Sequence, residues 1–118
     1  MSLQRMDADT AETVAGVIRQ LRRAAELVWA AADAEGAGSP RQLLALGIDL
    51  AADDARNLLP DTVTVDGPVL VGDEPAALLW SAERLLRRIA TPGVSTALDG
   101  LRTRVTELLW EANTGAGA

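Results

Sequence analysis

The sequence predicts an all-α four-helix bundle with a long extended or hairpin-like connection at about residues 60–72, and three observations predict it. Apolar residues recur in alternating steps of four and three along four separate stretches, which puts each set on one stripe of a helix. Glycine and proline punctuate the joints between those stretches. The remaining segment is β-branched, alternating, and longer than an ordinary turn between bundle neighbours.

The first helix is expected from about Asp9 to Ala34, with Val14, Ile18, Leu21, Ala25, Val28 and Ala32 on its inward stripe. Glu35-Gly36-Ala37-Gly38 ends it, because glycine readily takes the left-handed conformation that closes a helix. Ser39-Pro40-Arg41-Gln42 opens the second helix as a capping box. The Ser hydroxyl accepts from the third backbone amide, Gln42 reaches back, and Pro40 stands where a missing N–H costs nothing. Its stripe is Leu44, Ile48, Ala51, Ala55 and Leu58, and Pro60 closes it.

The third helix begins near Asp73-Glu74-Pro75, with acids at the positive end of the helix dipole, and its stripe is Leu78, Ala82, Leu85 and Ile89. Thr91-Pro92-Gly93 breaks the chain, and the fourth helix follows with Val94, Leu98, Leu101, Val105, Leu108 and Ala112. The whole chain, 1–118, reads as one domain, with residues 1–8 and 114–118 expected to fray.

Between the second and third helices, the run from Pro60 to Gly72 is centred on Asp66-Gly67. It reads either as a hairpin, Thr62 to Val65 against Val69 to Val71, or as one extended crossover; Pro68 weakens the hairpin by removing a ladder donor. A run of this length, about 13 residues, can reach roughly 43 Å, whereas a 20-residue helix is only about 30 Å long. The chain can therefore return along the whole bundle before the third helix starts. In that topology Trp29, Trp80 and Trp110 lie towards one end; in an up-down-up-down bundle Trp29 is at the other end.

Composition narrows the function. The chain has no His, Cys, Tyr or Phe, and all eleven of its cationic side chains are Arg. Arg keeps its proton at any physiological pH, so the usual catalytic acids, bases and nucleophiles reduce to Asp, Glu, Ser and Thr. No catalytic residue is assigned, and a non-enzymatic protein is expected. Without His or Cys the usual zinc, copper and haem ligands are missing, so neither a metal nor a cofactor is expected. Asp49, Asp53 and Asp54 place carboxylates within about a turn, but the di-iron bundle pattern needs His beside Glu. A net charge of −6 works against nucleic acid and anionic membranes as partners. With no apolar run long enough for a signal or a membrane span, a cytoplasmic protein is expected, and the use of Arg and Ala points to a GC-rich bacterial genome.

The surface residues carry the functional expectation. Trp80 falls opposite the core stripe of its helix, together with Glu83, Arg84 and Arg87, and Trp110 falls opposite the stripe of the fourth helix. Leu43, Leu46 and Leu50 form a second apolar face on the second helix, with Gly47 beside them allowing close approach of another backbone. Either that helix is central in the bundle or it has a further partner. These eight residues, Leu43, Leu46, Gly47, Leu50, Trp80, Arg84, Arg87 and Trp110, are the interface candidates for a homodimer and for an unidentified protein partner. The competing reading lays the Trp residues over the connection and the leucines inside the fold. The clusters Arg19, Arg22, Arg23 and Arg84, Arg87, Arg88 read as solvated faces, with Arg22–Glu26 and Arg87–Glu83 at ion-pair spacing. The predicted function is thus a non-catalytic adaptor or accessory subunit. The alternative is a sensor or binder of a small apolar ligand, with a cavity near Trp29, Val63, Val65 and Leu70.

Overall fold

The computed structural model describes residues 8–36, 38–65, 67, 74–89 and 96–114. Four helices form the bundle: α1, Ala8–Glu35; α2, Pro40–Asn57; α3, Pro75–Ile89; and α4, Thr96–Thr114. There is no strand among the described residues.

The turn from α1 to α2 is made by local chemistry. Gly36 and Gly38 hold φ of 95° and 79°, values that a side chain would make costly. The Ser39 side chain accepts from the Gln42 amide at 3.2 Å, as the capping box requires. Gln42 does reach back, accepting from the Gly38 amide at 2.6 Å, one residue earlier than the N-cap itself.

Every residue of the expected α1 stripe is buried, as are Leu44, Ile48, Ala51 and Ala55 of α2 and Leu98, Leu101, Val105, Leu108 and Ala112 of α4. In α3 the stripe is broader than its period indicates. Leu79 and Leu86 are fully buried with Leu78 and Ala82, while Leu85 and Ile89 are half-buried. The reason is that α3 has two neighbours, and Leu79 turns to a different side from Leu85, which approaches Gly16 of α1. The described part of α4 begins at Thr96; the expected Val94 and the Thr91–Gly93 break lie outside the described residues.

Adjacency decides the topology. The α1 helix packs on α2 and α3, and α4 packs on the same two; α1–α4 and α2–α3 are the diagonals. Residues from the C-terminal part of α1 (Leu27, Val28, Ala31), the start of α2 (Arg41, Leu44), the start of α3 (Pro75, Ala76) and the end of α4 (Ala112) surround one cleft. Both α2 and α3 therefore run away from that end, parallel to each other across the diagonal, while α1 and α4 run towards it. The connection is a crossover that returns along the bundle, and Trp29, Trp80 and Trp110 each lie within about a turn of a cleft-lining residue, at one end.

Within the crossover, the Val63 amide donates to the Pro60 carbonyl at 3.1 Å, closing a turn where the first hairpin arm was expected. Val65 is buried and Val63 packs against the core, so these two valines are spent on the bundle. Gly67 lies against the Arg19 side chain, placing the crossover over α1. The second arm, Val69 to Val71, and Leu70 lie outside the described residues.

Candidate interaction surfaces

Among the described residues five large apolar side chains are exposed: Leu43, Leu46, Leu50, Trp80 and Trp110. All five were expected on outer faces from helical period alone. Neither the crossover nor the core covers them in the described structure.

On α2 the exposed residues are Pro40, Leu43, Leu46, Leu50, Asp53, Asp54 and Asn57. Leu43 is 68% exposed, and Leu46 and Leu50 are 48% exposed. Among the described helices it touches α1 and α4 and not α3, so it is not central, and its second apolar face is exposed in the described structure. Gly47 is different. A Cβ built there would stand 2.9 Å from the Cδ2 of Leu108, so the glycine admits a side chain of α4 and belongs to the interior α2–α4 contact, not to the outer face.

On α3 the exposed residues are Ala77, Trp80, Arg84, Arg87 and Arg88. The Arg84 guanidinium lies 4.7 Å from the centroid of the Trp80 ring, where the ring quadrupole attracts a cation. Glu83 is not on this face. It is buried, with 5% of its surface exposed, and Arg87 Nε donates to its Oε2 at 2.5 Å. It stands about 60° round from Trp80, which is enough to take it out of the exposed face, a burial that the pattern of α3 alone cannot show.

Trp110 is 67% exposed on α4, a neighbour of α3. By contrast, Trp80 and the α2 leucines stand on diagonal helices. The eight interface candidates are thus distributed over three helices, with Leu43, Leu46 and Leu50 on α2, Trp80, Arg84 and Arg87 on α3, Trp110 on α4, and Gly47 at the α2–α4 contact. They do not make one continuous patch.

Arg19, Arg23 and Arg87 of the basic clusters are ion-paired. Arg19 bonds Glu12 at 3.4 Å, and Arg23, not Arg22, takes Glu26 at 3.2 Å. The carboxylate is thus taken at i to i+3 spacing instead of the expected i to i+4, both being neighbouring positions on a helix surface. Arg41 bonds Glu35 across the α1–α2 turn.

The ligand-pocket candidates are spread differently from the expected cavity. Trp29 is half-buried, and its Nε1 donates to Asp49 Oδ2 at 2.7 Å. Val65 is in the core and Val63 is packed on it. The cleft at the bundle end, about 540 Å³ and open to solvent, is lined instead by Leu27, Val28, Leu44, Ala76 and Ala112, with Arg41 and Glu74 among its polar residues. Asp49 is engaged by Trp29, and no group of three or more potential metal ligands occurs among the described residues. No helix among them is long and apolar enough to cross a membrane.

In comparison with known proteins, no family model matches the sequence, and neither a curated protein nor a solved structure shows a significant match.

Proposed function

We propose that this is a non-catalytic helical-bundle protein that works by binding other protein chains, as an adaptor or accessory subunit, and that its first partner is a second copy of itself, in a homodimer. The observation that carries the reading is the exposed leucine face of α2, Leu43, Leu46 and Leu50 in a row on the side away from the core. Contiguous apolar surface of this kind marks interaction sites in proteins whose cores are complete without it. The side-chain inventory supports the same reading, since a chain without His, Cys or Tyr offers little for acid–base or nucleophilic chemistry.

The open cleft at the bundle end favours a second reading, a small apolar ligand held between Leu27, Leu44 and Ala76. It favours it less, because most bound apolar ligands are enclosed and this depression is half open to water.

Light scattering across a concentration series, on wild type and Leu46→Glu together, tests the first reading. A wild-type mass above one chain that falls to one chain in a still-helical variant is the expected result. A wild type that stays at one chain at every concentration rejects it and turns attention to the cleft.

A further inference from the structure

We propose that copies of this chain associate head-to-tail, the outer face of α2 on one copy packing in parallel against the outer face of α3 on the next. This rests on the part of the reading above that has the protein self-associate; it names the surfaces and replaces the closed homodimer with an open pairing.

The two faces carry a matched pattern. Counted from the first turn of each helix, both are apolar near the N-terminal end and charged near the C-terminal end. On α2 the exposed sequence is Leu43, Leu46, Leu50, then Asp53 and Asp54; on α3 it is Ala77, Trp80, then Arg84, Arg87 and Arg88. The charges are opposite. No cation is exposed on α2, where Arg41 and Arg56 are half-buried and bonded to Glu35 and to the Pro60 carbonyl. No acid is exposed on α3, where Glu83 is buried under Arg87.

The fold supplies the geometry. The crossover makes α2 and α3 parallel at diagonal corners of the bundle, and their first turns meet the same cleft, so they begin at one level. Leu46 lies six residues after Pro40 and Trp80 five after Pro75, a difference of about 1.5 Å along the axis. A second copy shifted sideways along that diagonal, without turning over, therefore brings Leu46 level with Trp80 and Asp53 level with Arg87 and Arg88. For parallel helices face to face, a residue on one flank meets the opposite flank of its partner. At about 100° per residue that pairs Asp53 with Arg88, and the leucines enclose the Trp80 ring.

An α2 face packed on α2 of a second copy would leave the Trp80–Arg88 surface unused and would set acid near acid unless the helices were antiparallel. Head-to-tail contact uses both faces. Because it is heterologous, it does not close at two chains, and the mass should continue to rise with concentration.

The test is a light-scattering concentration series on the full chain as wild type, Trp80→Ala, Asp53→Arg, Arg88→Glu and the double variant Asp53→Arg/Arg88→Glu, with circular dichroism on each. Both charged positions are exposed, so helicity should be kept. The expected result is a wild-type mass rising beyond two chains. Each single charge reversal should weaken association about tenfold, as should Trp80→Ala, and the double reversal should recover most of it. A wild type that forms dimers unaffected by Arg88→Glu and Trp80→Ala overturns the head-to-tail pairing and leaves self-association through α2 standing. Charge reversals that weaken association without recovery in the double variant also overturn the pairing. A wild type that stays at one chain at all concentrations overturns both the pairing and the reading beneath it.

Discussion

Trp29 of α1 and Asp49 of α2 are joined by a 2.7 Å hydrogen bond from the indole N–H to the carboxylate, twenty positions apart in sequence. The bond fixes the rotation of the one tryptophan that is half-buried between two helices. A carboxylate acceptor makes such a bond stronger than a neutral one. Asp49→Ala should lower unfolding free energy by about 1–2 kcal/mol. In a double-mutant cycle with Trp29→Phe by urea denaturation, the two losses should not add, since either change removes the same bond.

Gly47 faces Leu108 across the α2–α4 contact, where any added side chain must displace the leucine tip. Gly47→Val should cost about 1–3 kcal/mol through overlap with the leucine. Gly47→Ala should shift stability by less than about 1 kcal/mol, because the helix-propensity gain opposes a small displacement of a flexible Leu108 tip. Thermal or urea unfolding distinguishes these outcomes, and Leu108→Ala in the same chain should recover part of the Val loss.

Glu83 is buried and Arg87, itself exposed, covers it. Removing the guanidinium leaves a buried carboxylate without that partner. Arg87→Ala should therefore destabilise by about 1–3 kcal/mol, while Glu83→Gln should cost less, because the amide carries no charge to bury. Chemical denaturation of both variants at neutral pH measures the asymmetry.

Ser39 caps α2 through its side-chain oxygen. Ser39→Ala should cost about 1 kcal/mol, and Ser39→Asp should retain most of the stability, because its carboxylate accepts the same amide and suits the helix N-terminus. The measurement is the urea midpoint at unchanged slope.

The crossover has to span the length of α2, about 27 Å at 1.5 Å per residue. Residues 58–74 do so with slack, since extended chain covers roughly 3.3–3.6 Å per residue. Removing about ten of them would leave too little reach, and the shortened chain should lose its cooperative unfolding transition or exchange α3 and α4 between copies. Removing three from the middle should be tolerated, with a change of less than about 1 kcal/mol.

Local chemistry left a clear record in the sequence. The Ser39–Gln42 cap, the glycines at 36 and 38, and the four-three spacing of Val14 to Ala32 and of Leu98 to Ala112 each depend on neighbours within one or two turns. They therefore define helix ends and core stripes before any helix meets another. The outward leucines and tryptophans were legible for the same reason, as positions opposite those stripes. What the tertiary structure alone decided is which helix stands beside which. A stripe gives the direction of the core but not the identity of the helix across it. The period therefore could not choose the crossover over an up-down-up-down order, place α2 and α3 on a diagonal, or separate the Leu46 face from the Trp80 face. The same limit hid the burial of Glu83 and the interior role of Gly47. Gly47 is settled by Leu108 of α4, brought close only when the bundle closes.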